Sequence, residues 1–257
     1  MLDCGWRVCI ANSVVSAADV TSPKAQQSFS KLEIKGIYQP MIFESAIKAV
    51  IFDMDGVLLD TESICLETWK IAGTEYNLTN AEQVYKSCVG MNKADTLFIL
   101  KKNYGSRFPA QDFMQRTSEV FSILEKDNGI PLMSGVFEAL NYLKNKYRLA
   151  LASSTRKAAV QRQLTEAGLI DYFESLTCGD EVEHSKPDPE IYIRACRSID
   201  MPVQNCAAIE DSPNGIRSAF SAGLKTIMIP DMIEPSKELD PFIWKILPSL
   251  AEIKSLL

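Results

Sequence analysis

Histidine is almost missing: His184 is the only one in 257 residues. A histidine-rich metal centre is therefore excluded, and a Ser-His-Asp triad would have to be built on that single imidazole. The seven cysteines, at positions 4, 9, 65, 88, 178, 196 and 206, contain no Cys-x-x-Cys pair and none of the clustered spacings of a zinc site. Scattered reduced thiols in a cytosolic protein are the expectation. There is no Gly-x-Gly and no G-x-x-x-x-G-K-[ST] anywhere, which removes the dinucleotide fingerprint and the phosphate loop. No run of eighteen apolar residues occurs, so no transmembrane helix is expected. Asp3, Asn12, Ser13 and Ser16 interrupt the semi-apolar N-terminus, against an export signal. Positive charge is also in short supply, with 27 Lys and Arg against 33 Asp and Glu and a formal charge of −6. That balance argues against nucleic acid or a membrane surface as partner. A small anionic substrate stays compatible, because a local positive site can sit on an acidic protein. The expectation is a cytoplasmic monomer acting on a small molecule.

What is present is ordinary globular material, 46% hydrophobic and 23% charged. Four short apolar runs stand out: Lys48–Phe52, Arg148–Ala152, Cys206–Ile209 and Thr226–Ile229. Runs this short and uniformly apolar suit strands buried on both faces of a parallel sheet. Helical spacing lies between and after them. Val136, Phe137, Leu140 and Leu143 fall on one face, as do Ala158, Val160, Leu164 and Leu169, and Leu247, Leu250, Ile253 and Leu257 repeat the pattern at the end. The alternation predicts an α/β protein, a Rossmann-like doubly wound parallel sheet with right-handed crossovers. One connection, from Asp60 to about Leu132, is too long for a loop. It is rich in helix formers and carries turn signals at Tyr76-Asn77, Asn103-Tyr104-Gly105 and Asp127-Asn128-Gly129. The predicted organisation is an extension over 1–40, an α/β core over 41–60 and 133–257, and an inserted helical domain over 61–132.

Ligands of open α/β sheets bind outside the carboxyl ends of the strands. The residues that follow the apolar runs are Asp53 and Asp55, Ser153 and Ser154, and Glu210 and Asp211. Four carboxylates gathered at one rim repel each other unless a cation sits among them, and all-oxygen ligands suit Mg²⁺. An ordinary Asp is ionised at neutral pH, so Asp53 needs no base to act as a nucleophile. Asp55, two residues on, is placed to protonate a leaving oxygen and then to activate water. Ser153, Ser154 and Lys186 are the candidates to hold and neutralise phosphate oxygens. Each has a plainer reading. Asp53-Met54-Asp55-Gly56 also reads as a turn, Ser153 as a helix cap, Lys186-Pro187 as a solvated loop, and Asp211-Ser212-Pro213 as a helix start. For His184 no role is expected, and Cys65 and Cys88 are read as packing residues.

The segments AVIFDMDGVLLDTES, LASST, SKPDPEIY and AAIEDSPNGIRSA, in that order, resemble the four motifs of the haloacid dehalogenase superfamily. The resemblance runs from about Ala49 to the C-terminus and is nearest to the branch of β-phosphoglucomutase and sugar-phosphate phosphatases. It implies Asp53 as nucleophile, Asp55 as acid and base, Ser153 as phosphate ligand and Lys186 as charge stabiliser. It further implies a Mg²⁺ held by Asp53, Glu210, Asp211 and the backbone carbonyl of Asp55, with the inserted helices serving as a cap. Within the cap, Asn92 and Lys93 are the candidates for substrate specificity. A mutase of this branch uses a cap histidine where Cys65 stands, a lysine where Val89 stands and an arginine where Lys93 stands. The expectation is accordingly a phosphatase of a small phosphorylated metabolite, a sugar phosphate, with a phosphosugar mutase as the alternative. A dehalogenase leaves Asp55 without a role, and a phospho-receiver module leaves both Asp55 and the cap without one.

Overall fold

The structure is a computed structural model that describes residues 8–10, 13–15, 46–89, 91 and 93–257. Val8–Ile10 (β1) and Ser13–Val15 (β2) pair antiparallel in a unit that ends at Glu44. A second compact unit, Ser45–Leu257, contains everything that follows. The expected specificity residue Asn92 lies outside the described residues.

Ser45–Leu257 is built on a six-stranded parallel sheet. Its strands are β3 (Ala49–Phe52), β4 (Arg148–Ser153), β5 (Ser175–Cys178), β6 (Cys206–Glu210), β7 (Lys225–Met228) and β8 (Lys245–Ile246). Their spatial order is β5-β4-β3-β6-β7-β8. β3 is central, with Phe52 opposite both Leu151 of β4 and Ile209 of β6. All four β3 residues are fully buried, as strands covered on both faces must be. Alternation sorts them: Val50 and Phe52 join one core, Ala49 and Ile51 the other. The first core takes α5 (Val136–Leu143), α6 (Lys157–Glu166) and the chain end; the second takes α7 (Glu190–Ser198) and Ala219 of α8 (Pro213–Ser221). The chain winds one way through β4 and β5 and the other way through β6 to β8. The crevice therefore falls beside β3, at the switch between the two halves.

Four helices fill the long connection: α1 (Thr61–Glu75), α2 (Ala81–Cys88), α3 (Lys93–Tyr104) and α4 (Ala110–Asn128). Asp60 caps α1, its Oδ1 accepting from Ser63 N at 3.1 Å. The three turn signals sit where α1, α3 and α4 stop, with Asn77, Gly105 and Gly129 in left-handed conformations. The helices share their own apolar cluster, in which the Trp69 ring stands edge-on to Phe113 with centroids 5.1 Å apart. Cys88 is buried in this cluster and Cys65 packs against it, as packing residues would.

Two local expectations change. The last apolar repeat is not an α-helix: Leu250–Ser255 is a 3₁₀ segment following Pro248. Its buried residues, Leu250 and Ile253, are spaced by three, which matches the 3₁₀ repeat rather than the α one. The second helical pattern stops at Glu166, and Leu169 packs into the same core from the turn beyond.

Candidate active site

Asp53 directly follows β3, and its amide continues the ladder by donating to Ile209 O at 3.0 Å. This fixes its carboxylate at the carboxyl rim, 6% exposed. Lys186 arrives from the loop before α7. Its Nζ donates to Asp53 Oδ1 and Glu210 Oε1, both at 2.7 Å, and to Ala152 O at 3.1 Å. The lysine side chain is only 7% exposed, so it is not a solvated loop residue. Burial works against its charge, but Asp53 and Glu210 outweigh that and hold its pKa above the ordinary lysine value.

Glu210 ends β6 and is fully buried. Its Oε1 also accepts from Tyr192 OH at 2.6 Å, while Oε2 receives Ser212 Oγ at 3.1 Å and Ser212 N at 3.4 Å. Ser212 is the N-cap of α8, accepting from Gly215 N at 3.1 Å with Pro213 at the first helical position. The helix-start reading of Asp211-Ser212-Pro213 thus holds. Asp211 lies against the turn at Gly56, where φ is +73° and an added Cβ would stand 2.4 Å from Asp211 Oδ2. Glycine is needed there both for the backbone and for the room.

Asp55 faces the other way. Its Oδ2 accepts from Thr155 Oγ1 at 2.9 Å and Ser153 Oγ at 3.4 Å, and Thr61 adds a further hydrogen bond. Ser153 is fully buried, and its Oγ also accepts from Thr155 N at 3.0 Å. It does not cap the next helix, whose N-cap is Arg156. Ser154 is exposed and lines a cavity of about 140 Å³ with Asp53, Asp55, Lys186 and Asp211. Val89, at the end of α2, and Glu62 of α1 line the same cavity from the helical side. Lys93 is exposed at the start of α3 and is not among the lining residues. His184 is also exposed, 3.4 Å from Glu190 and away from this cavity.

The electrostatics are those of crowded acids. Burial pushes the Asp53 carboxyl up to about 8 against the pull of Lys186, with Glu210 and Asp55 adding to the rise. Asp211 is raised well above the carboxylate range by burial and by Glu210 and Asp53. Asp55 is raised by burial, and its hydrogen bonds to Thr155, Thr61 and Ser153 oppose that. Oxygens of Asp53, Glu210 and Asp211 lie within 4.8 Å of one another. A hard divalent cation with oxygen ligands fits this set, because one buried lysine faces several converging carboxylates. The Asp55 carboxylate is not in that group of three.

Tyr192, Thr155, Thr61 and Glu62 complete the site without having been singled out in the sequence. Tyr192 closes the SKPDPEIY segment and Thr155 closes LASST, so the signal lay inside motifs already noticed. Thr61 and Glu62, which open the first helix after the Asp53 loop, likewise lie inside the segment AVIFDMDGVLLDTES.

Residues 50–229 match the haloacid dehalogenase-like hydrolase family. The chain belongs to that family and is a hydrolase. It is 35% identical over 186 residues to the phosphorylated carbohydrates phosphatase of Thermotoga maritima, covering 70% of this chain and 84% of the relative. It is 30% identical over 185 residues to the β-phosphoglucomutase of Bacillus subtilis, covering 69% of this chain and 81% of the relative. Among solved structures, CbbY from Rhodobacter sphaeroides in complex with phosphate is 26% identical, with a TM-score of 0.63 over 80% of this chain and 96% of that one. Among the described residues, no helix is long and apolar enough to cross a membrane.

Proposed function

We propose that the protein is a Mg²⁺-dependent phosphatase that hydrolyses a small phosphorylated metabolite, a sugar phosphate, through an aspartyl phosphate on Asp53. One observation carries the reading: the buried Lys186 ammonium stands 2.7 Å from the Asp53 carboxylate, with the hydroxyl-anchored Asp55 two residues on. The name of the Thermotoga maritima relative supports the substrate class.

Asp53 attacks phosphorus as the bond to the ester oxygen breaks, and Asp55 in its protonated form gives that oxygen its proton. Burial raises the Asp55 pKa, which favours the acid form needed for this step. Water then attacks the phosphorus of the aspartyl phosphate, Asp55 takes back a proton, and Asp53 and inorganic phosphate are released. Lys186 offsets the charge of phosphate approaching a carboxylate. Asp53, Glu210, Asp211 and the Asp55 carbonyl would hold Mg²⁺, whose contribution is further neutralisation of the phosphoryl oxygens. Ser154, on the cavity wall, is placed to hold a phosphoryl oxygen, and Ser153 serves through Asp55. The four helices α1–α4 act as the cap over this cavity, with Val89 and Glu62 facing the substrate.

Hydrolysis is favoured over the mutase alternative on the cap side. Val89 offers neither charge nor hydrogen bond, and burial pushes the Cys65 thiol up to about 12, so it stays neutral and cannot replace a titrating imidazole. The test is phosphate release from a panel of sugar phosphates with Mg²⁺, in the wild type and in Asp53→Asn. The wild type should turn over and Asp53→Asn should fall below a few per cent. Retained activity in Asp53→Asn would refute covalent catalysis by that residue.

A further inference from the structure

Thr155 holds Asp55 Oδ2 at 2.9 Å, yet it stands on the loop between β4 and α6 rather than on either element. A loop residue aims a carboxylate only as firmly as it is itself held. Thr155 is held through each of its hydrogen-bonding groups: Oγ1 donates to Asp55, N to Ser153 Oγ at 3.0 Å, and O accepts from Gly179 N at 3.0 Å. The last of these bonds crosses to the chain that follows β5.

Gly179–Glu181 is a single 3₁₀ turn directly after β5. β4 and β5 end in register, Ser153 opposite Cys178, so the loop and the turn leave the sheet side by side. They run so close that a Cβ on Gly179 would stand 2.0 Å from Ser154 O and 2.7 Å from Ser154 C. Those are backbone atoms, which no side-chain rotation can move aside, so glycine is required there for room. Asp180 and Glu181 fasten the far end of the loop. Arg156, the N-cap of α6, makes no side-chain capping bond, and the first turn of that helix carries no acid. Asp180 supplies the missing acceptor from outside the helix, its Oδ1 taking Lys157 N at 2.9 Å. Glu181 Oε1 accepts from Lys157 Nζ at 2.7 Å, and its Oε2 accepts from Cys178 N at 2.9 Å, which closes the turn on itself. Thr155 and Lys157 are thus tied to one turn on either side of the exposed Arg156. The turn lies between LASST and SKPDPEIY and belongs to neither.

We propose that the Gly179–Asp180–Glu181 turn is a positioning device for the proton step, holding Thr155 where its hydroxyl aims Asp55 at the leaving oxygen. This rests on the phosphatase reading above. It makes these three residues positioning residues, which touch no substrate and act through Thr155.

The test compares leaving groups. An alkoxide needs the Asp55 proton to depart, whereas 4-nitrophenolate departs without one. Because kcat/KM covers the steps through that departure, its ratio between the fastest sugar phosphate of the panel and 4-nitrophenyl phosphate isolates the proton transfer. Thr155→Val, which deletes the hydroxyl itself, sets the scale. With Mg²⁺ present, Gly179→Ala should lower the ratio at least about tenfold, since a displacement near 1 Å is enough for that. Asp180→Ala, at an exposed position that folding tolerates, should lower it about threefold, and Asp180→Asn, which keeps an acceptor oxygen, should restore it. A merely structural role would depress both substrates alike and leave the ratio unchanged. An unchanged ratio in Asp180→Ala, or in Thr155→Val, would overturn the inference while leaving the phosphatase intact. A wild type that releases phosphate from no sugar phosphate would overturn the phosphatase reading and this inference with it.

Discussion

Asp53 is asked to be an anion in a place that disfavours anions. Burial holds its pKa near 8 although Lys186 is in contact, because Glu210 and Asp55 add negative charge nearby. The consequence for stability has a definite sign. In unfolded chain the carboxyl titrates near its ordinary value of about 4, so between about pH 4 and 8 the folded form binds a proton that the unfolded form has lost. Stability contributed by this group is thus present at low pH and lost as pH rises towards 8. Asp211 is raised in the same direction. A bound divalent cation reverses the balance, since it requires the ionised carboxylates. In EDTA, the melting temperature should decline from pH 5 to pH 8, and Asp53→Asn should flatten that decline. Mg²⁺ should raise the melting temperature more at pH 8 than at pH 5. An equal Mg²⁺ effect at both values, in wild type, would remove the carboxylates from the metal site.

Elements bring these residues together, and the sequence displayed them unequally. The four apolar runs are legible because β3, β4, β6 and β7 are buried on both faces and admit few polar side chains. β5 was not legible, because as an edge strand it leaves Ser175 and Leu176 only half-buried and carries no uniform signal. β8 is a two-residue exposed edge, too short for any pattern. Helix α8 shows how an element can be tied to the chemistry. Its Gly215 sits where an added Cβ would be 1.9 Å from the Glu210 carboxyl carbon. Helix propensity alone favours Gly215→Ala by about 1 kcal/mol. Glu210 has no room to yield, since it is fully buried and held by Lys186, Tyr192 and Ser212. Overpacking of this kind costs about 1–3 kcal/mol and should win. Gly215→Ala should therefore lower the melting temperature and reduce kcat/KM at least about tenfold, as Lys186 follows Glu210 out of place. A variant more stable and fully active would mean that Glu210 is not fixed.

For the molecule as a whole, the catalytic rim was legible and its surroundings were not. Asp53, Asp55, Glu210 and Asp211 announce themselves because they follow strand ends, and Lys186 because it lies within a recognisable segment. Tyr192 and Thr155 lie inside recognisable segments, but their bonds to Glu210 and Asp55 come from packing between elements, which leaves no imprint on local spacing. The long first segment raises the remaining question of what the catalytic unit requires. Every residue assigned a role here lies in Ser45–Leu257, and the family match covers 50–229. The start of that unit is anchored from within: Lys48 N donates to Asn205 O at 2.7 Å, and Asn205 Nδ2 donates to Ala46 O at 2.9 Å. β3 thus enters the sheet with its first backbone groups already satisfied by the loop before β6. A chain beginning at Met41 should fold, with a melting temperature within about 4 °C of the full chain, the equivalent of roughly 1 kcal/mol at this size. Its kcat/KM on the best substrate of the panel should stay within about twofold, a few tenths of a kcal/mol. Calorimetry and the phosphate-release assay on both chains decide it, and insoluble or inactive shortened protein would show that residues 1–40 complete the unit.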